Sequence, residues 1–388
     1  MKIRIVSTYP PTKCGIAEHA KQLSESLKKS GIQPEIIDIK NPSSSNPFYF
    51  IKLAKKTAKG LSKEDIIHIQ FQITIFGKLL GILPGFYILT FLIWIKLLTR
   101  AKIVMALHDS PTKKYALKKG KKEKALLYYY KFIYVFLKLF VDYFIAHSKN
   151  GERINIEEWG INREKITTLP LGLPTKIKRL DKNECKKKLG YSGKKILIIL
   201  GYIRNSKNYK VVLESLTQLK EEVILLIAGK PQLEKDKEAY ENIIKETQRL
   251  KLNKRVRLLG FVKDEDMPFL LNSADIGITL HTQGGGDFMS STMAMQLSYG
   301  ISNLSTNIPS FENLKKEEEC IETFNENDSK DLTKKINELL YNPKKIKDLK
   351  LKSMKYWEKN NWDEIGKRTK EIYLLLLKTK NIIKKNVI

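Results

Sequence analysis

From Gly284 to Gly300 the chain reads Gly-Gly-Gly-Asp-Phe-Met-Ser-Ser-Thr-Met-Ala-Met-Gln-Leu-Ser-Tyr-Gly, a set of residue types suited to an anion. Glycines, Gly286 among them, free the backbone, and Asp287 follows. Ser290, Ser291 and Thr292 then offer hydroxyls where an apolar pattern of helical period begins at Met293. The first amides of a helix have no partner within it, and the aligned peptide dipoles leave partial positive charge there. A phosphate can therefore sit at such a terminus without a dedicated lysine. Serine and threonine are also the commonest helix N-caps, and taken alone the letters favour that plainer reading.

Other residues point the same way. Arg204 and Lys207 stand close together in the loop Gly201 to Lys207, which follows a strand pattern. An arginine offers a planar fork and a lysine a point charge, a pair that can clamp a diphosphate. Gly15 lies at a strand-to-helix turn where a ligand can approach the backbone. Of the five histidines, His68 falls within a predicted strand and His108 and His147 at the ends of two more. A single histidine is usually a satisfied structural residue; three in this placement are harder to read that way. Asp264-Glu265-Asp266 resembles a metal-binding acid cluster, but it opens a helix, where acids are expected from capping and the dipole. No metal site is expected from the spacing of the ligand-type residues.

The elements that must position these groups repeat twice. Ile3 to Ser7 reads as a buried strand, Ile16 to Ser30 as a helix and Glu35 to Ile39 as a second strand, the opening of a doubly wound α/β domain. Asp65 to Gln70, Ile103 to Leu107 and Phe144 to His147 continue it. A proline- and glycine-rich turn, Leu169 to Pro174, and a lysine-rich linker follow. The pattern then restarts with strands at Lys195 to Leu200, Val223 to Ala228, Arg255 to Leu259 and Asp275 to Leu280. The expected fold class is α/β with two Rossmann-like doubly wound domains. The first spans 1–174 and the second 175–355, and terminal helices cover 356–388.

The composition is that of a globular protein, with 42% hydrophobic and 29% charged residues. A net charge of +29 fits nucleic acid, an anionic membrane surface or acidic substrates. Lysine is abundant throughout, however, and no nucleic-acid module or aromatic platform is visible, so no nucleic acid is expected as partner. Cys14, Cys185 and Cys320 are too few and scattered for a disulfide framework, and Met1 to Val6 is too short for a signal peptide; both features favour a cytoplasmic location. Two helices are unusual. Leu79 to Ile95 carries no charge, although Pro84-Gly85 interrupts it. Tyr115 to Val141 joins a lysine cluster to an aromatic-rich apolar face, the composition of a helix lying in a membrane interface. The alternative is a helix that simply covers the sheet.

Tyr9-Pro10-Pro11 with Cys14-Gly15-Ile16-Ala17, Ile67-His68-Ile69-Gln70, Leu107-His108-Asp109, Gly201 to Lys207, Gly260-Phe261-Val262 and Ala274-Asp275 through Gly300 occur in one order and spacing. That ordered set resembles the family 4 glycosyltransferases. The resemblance implies a retaining enzyme of the GT-B fold, with two domains facing a cleft and a terminal helix that crosses back to the first. It implies no cofactor, a UDP- or GDP-sugar donor and a saccharide or lipid-linked acceptor. Arg204 and Lys207 become the pair that stabilises the departing diphosphate, Gly15 the glycine against the donor phosphates and His108 the histidine near the reacting sugar.

The chain departs from that family in one motif. The family's spaced pair of glutamates becomes Asp287 at the sugar-contacting position and Met295 at the ribose-binding position. Asp287 keeps the charge on a shorter arm, whereas Met295 cannot accept a ribose hydrogen bond. The expectation is a hexosyltransferase that relies more on Ser290, Ser291 and Thr292, peripheral on the inner face of the cell membrane. The alternative is a catalytically silent GT-B subunit that scaffolds a membrane assembly.

Overall fold

Runs such as Ile66–Phe71 and Val223–Ala228 are buried at every residue. That is the signature of parallel strands covered on both faces, which read as continuous apolar stretches instead of alternating ones. The computed structural model has two sheets of this kind. It describes the backbone of residues 1–388 apart from 13, 114–120, 232, 282–285, 288–289 and 386–388; side chains 121–123, 286–287 and 379–385 are not described either. The first sheet contains β1 (Ile3–Ser7), β2 (Pro34–Asp38), β3 (Ile66–Phe71), β4 (Lys102–Leu107), β5 (Tyr143–Ala146) and β6 (Ile166–Thr168). All pairs are parallel, in the order β2-β1-β3-β4-β5-β6. The second contains β7 (Lys195–Leu200), β8 (Val223–Ala228), β9 (Val256–Gly260), β10 (Ile276–Thr279), β11 (Ser302–Thr306) and β12 (Ile321–Phe324). These are also parallel, in the order β9-β8-β7-β10-β11-β12. The strand order reverses beside β1 in the first sheet and beside β7 in the second. In such folds ligands collect at the carboxyl ends of the strands around that reversal.

The chain divides into two compact units. One comprises Met1–Gly172, Gly284–Met289 and Asn360–Ile388, and the other Leu173–Gln283 and Ser290–Lys359. In the first, the terminal helix Trp362–Lys385 lies against the Gly15–Lys29 helix. Gly366 allows this contact, since a Cβ there would strike Ser26, whose hydroxyl donates to the Trp362 carbonyl; Gly172, in the turn after β6, leaves room for the Trp362 indole. Tyr373 on the same helix is fully buried.

Several expected elements change. The uncharged run from Leu79 is not one helix: Lys78–Leu79 and Leu83–Pro84 form a small antiparallel hairpin, and the helix is Tyr87–Leu98. Gly85 has φ +74°, and a Cβ on it would lie 2.6 Å from Ile73, so the backbone turns tightly there and the helix can only begin afterwards. The basic and aromatic helix covers Lys121–Phe140, while 115–120 lie outside the described residues. Strand β11, Ser-Asn-Leu-Ser-Thr, carries too many polar letters to be expected as a buried strand, yet all five residues are buried. A side-chain network accounts for this. Asn303 donates to Thr279 Oγ1 at 3.0 Å and to Gln296, and Ser305 donates to Asn303 Oδ1 at 2.6 Å.

Candidate active site

In the second unit, chemistry gathers where β7 and β10 end side by side. Gly201 follows β7 with φ +91°, and a Cβ on it would lie 2.6 Å from the Thr292 methyl. The β7 loop and the start of the Ser291–Ser298 helix are therefore in direct approach, and only glycine fits. Ser290 is the N-cap of that helix; its Oγ accepts from the Met293 amide at 3.3 Å and lies 3.0 Å from Thr292 Oγ1. The ordinary capping role is thus real. The part of the chain that meets the β7 loop is this helix start, where the helix dipole leaves partial positive charge.

That loop supplies the cations. Lys207 Nζ donates to the Tyr202 carbonyl at 2.9 Å, and the Arg204 guanidinium lies 5.9 Å from the Tyr202 ring. Burial, with the neighbouring Arg204 charge, pulls the Lys207 ammonium down to about 8. His281, just past β10, is held down to about 4 by burial and by the charges of Lys207 and Arg204. Its backbone is tied to Thr306, whose hydroxyl accepts from the His281 amide at 3.0 Å and donates to its carbonyl at 2.7 Å. Two cations, a neutral imidazole and a helix N-terminus form a surface for a polyanion. His281 carries no signal in the sequence, because an isolated histidine after a strand has no spacing partner.

In the first unit, four histidines meet at the carboxyl side of the sheet. The ring centroids of His19, His108 and His147 are 4.6 to 5.1 Å apart. His68 is linked to His108 through Gln70: the Gln70 amide nitrogen lies 3.1 Å from His68 Nε2, and its oxygen 2.6 Å from His108 Nε2. His68 Nδ1 is 2.6 Å from the Tyr373 hydroxyl. Burial lowers all four imidazoles, His68 to about 3, and the charges they would carry repel one another. Beside them, burial raises the Asp109 carboxyl, against a hydrogen bond from Gln72 that lowers it. His19 and Tyr373 were not expected here, since each lies far along the chain from the strand-end histidines.

The remaining expected residues are distributed as follows. Gly15 begins its helix with open space around it: a Cβ there would meet no atom within 4 Å. Cys14 is the N-cap of that helix, its sulfur accepting from the Ala17 amide and lying 3.2 Å from the Thr8 hydroxyl. Ser291 is exposed at the first turn of its own helix. Gly286 and Asp287 pair antiparallel with Pro111 and Ser110 within the first unit; their side chains, and 282–285 and 288–289, lie outside the described residues. Met295 packs against an apolar cluster containing Ile196, Leu200 and Leu226. Asp264 to Asp266 precede the Met267–Ser273 helix and form no metal-ligating cluster among the described residues.

Residues 181–360 match the family model of the glycosyl transferases group 1. No curated protein matches the chain. Among solved structures, a glycosyltransferase from Rickettsia africae superposes with a TM-score of 0.74 at 18% identity, over 97% of this chain and 99% of that one. Anabaena HepE in complex with UDP and glucose gives 0.70 at 14%, over 96% and 99%. Sucrose-phosphate synthase from Thermosynechococcus elongatus gives 0.73 at 15%, over 98% and 100%. At these identities the likeness concerns the fold, two parallel six-stranded α/β units of GT-B type. The polyanion surface lies inside the matched segment, which spans most of the second unit; that segment is similar to the group 1 glycosyl transferases, and the chain has a fold of GT-B type.

Proposed function

We propose that the protein is a retaining hexosyltransferase of family 4 that takes a UDP- or GDP-sugar and glycosylates a saccharide or lipid-linked acceptor at a membrane surface. One observation carries the reading: Gly201, Arg204, Lys207, His281 and the Ser290–Thr292 helix start converge where the strand order of the second sheet reverses. Breaking the bond from sugar to diphosphate builds negative charge on the leaving oxygen. The Arg204 and Lys207 cations and the helix amides stabilise that charge, a route that calls for no metal ion. The acceptor hydroxyl attacks the anomeric carbon on the face the diphosphate leaves, so the configuration is retained. His108 orients the sugar, and the open space at Gly15 admits the donor phosphates. HepE, which has been seen with UDP and glucose, supports a nucleotide-sugar ligand through the shared fold. Met295 is partly buried against an apolar cluster and offers no oxygen or nitrogen acceptor, so the ribose is held by other groups.

Membrane contact is supported by an apolar surface on the first unit. Tyr128, Phe132, Val135 and Leu139 follow one another at helical spacing and are all exposed, as are Leu97 on the adjoining helix and Leu80 and Ile82 at the hairpin tip. Tyr129 links this helix to the hairpin by donating to the Pro84 carbonyl at 2.7 Å. Lys131 and Lys138 flank the apolar face. No helix among the described residues is long and apolar enough to cross a membrane.

The test is a thermal-shift screen of nucleotide sugars followed by transfer assays with the stabilising donor. A UDP- or GDP-sugar should raise the melting temperature and be consumed in the presence of an acceptor extract. Stabilisation without turnover would favour the scaffolding subunit, and no stabilisation by any nucleotide would overturn the donor assignment.

A further inference from the structure

The histidine cluster of the first unit has a property that sugar transfer does not require. One ring nitrogen each from His19, His108 and His147 lies within 4.8 Å of those of the other two. Their protonation pattern follows from the partners. His147 Nδ1 is 3.0 Å from the Leu169 carbonyl, which can only accept, so Nδ1 carries the proton and Nε2 the lone pair. His147 Nε2 is buried and has no hydrogen-bond partner. His108 Nε2 donates to the Gln70 oxygen, which leaves the lone pair of His108 on Nδ1. The Gln70 amide donates in turn to His68 Nε2, and His68 Nδ1 donates to the Tyr373 hydroxyl. This relay fixes Gln70, and Gln70 fixes His108. His19 Nδ1 is the second buried ring nitrogen without a partner.

A buried, unpaired imidazole nitrogen is costly, and two that converge with a third ring require an explanation. Histidines whose far nitrogen donates to a carbonyl or amide oxygen, leaving the near one bare, are oriented as metal ligands are. We propose that His19, His108 and His147 form a site for a zinc-class divalent cation, with Gln70 and Leu169 as the groups that orient its ligands and a fourth position left open. Four-coordinate zinc with bonds of about 2.0–2.1 Å needs ligand nitrogens about 3.4 Å apart, which small rotations of rings starting within 4.8 Å supply. Three neutral imidazoles and no carboxylate suit zinc, cobalt or nickel and disfavour magnesium and calcium. A small cavity of about 10 Å³ lined by His19, His68, His147 and Leu169 borders the cluster, and the Trp362 ring lies 5.0 Å from His19.

The test titrates cobalt(II) into protein purified without a histidine tag and stripped with chelator. One equivalent should produce the intense visible bands of a four-coordinate ion, and zinc should bleach them while magnesium and calcium do not. His147→Ala and His19→Ala should lose the bands, and His281→Ala, in the other unit, should retain them. Gln70→Leu removes no ligand and should weaken binding about tenfold to hundredfold. Circular dichroism reports whether each variant folds; should the histidine variants unfold, the wild-type titration and Gln70→Leu decide. Absence of a stoichiometric spectrum in the wild type, an octahedral spectrum only, or unchanged binding in folded His147→Ala would overturn the proposal. The readout needs no sugar nucleotide, and because His108 enters both readings the ligand tests use His19→Ala and His147→Ala, which have no part in the proposed transfer, so failure of one reading is distinguishable from failure of the other.

Discussion

The two units place nearly the same six-stranded parallel sheet under opposite chemistries. At the strand ends of the first, four imidazoles are buried, neutral and wired to one another through Gln70 and Tyr373. At those of the second, Arg204 and Lys207 stand beside a helix N-terminus with a single histidine, His281, between strand and helix. The first set offers lone pairs, which suit a Lewis acid or a sugar hydroxyl. The second offers positive charge and amide hydrogens, which suit a diphosphate. A sheet edge of this kind prescribes where ligands gather, and the side chains at the strand ends decide which ligands they are.

The largest expected effect tests the charged edge. Arg204→Ala or Lys207→Ala should lower transfer by about a hundredfold to a thousandfold, the usual cost of removing one preorganised group that stabilises developing charge. Cobalt binding by the first unit should not change; parallel loss of both would erase the division of labour between the two edges. Next in size is Gly201→Ala. The left-handed backbone and the Thr292 methyl together should cost about 1–3 kcal/mol, read as a lower melting temperature and weaker donor binding.

The pH dependence should be smaller. In the free site Lys207 titrates at about 8, and a bound diphosphate raises that value. Donor affinity is therefore full below pH 8 and falls above it, by at most about tenfold per pH unit. Of the groups facing Lys207, His281 is held down to about 4 and so stays neutral through that window. Calorimetry on Lys207→Arg should show the slope flattened; a slope that persists there would assign it to another group. The smallest effect belongs to the first unit's surface. Phe132→Glu should reduce partition onto anionic vesicles by about tenfold or less and leave soluble donor binding unchanged.

Parts of this were legible in the letters. The runs that became β1, β3, β4, β7 and β8 are short, apolar and bounded by polar turns, so their burial is written locally. Arg204, Lys207 and the Ser290 cap were also legible, because loop cations after a strand and hydroxyls before an apolar helix are short-range signals. Strand β11 was not, because the burial of its asparagine and serines depends on Gln296 and Thr279 from other elements. The break at Gly85 was visible as Pro-Gly, but its strength comes from Ile73 across the turn.

The sequence by itself determined a doubly wound α/β chain with an anion-seeking loop and helix start, since periodicity, capping and charge act over a few residues. Only the tertiary structure decided that His19, His68, His108, His147 and Tyr373 belong to one network and that His281 stands beside Lys207. Those residues lie on different strands and helices with no common spacing. Their neutrality and tautomers come from desolvation and hydrogen bonding that exist only once the sheet, the first helix and the terminal helix have packed together.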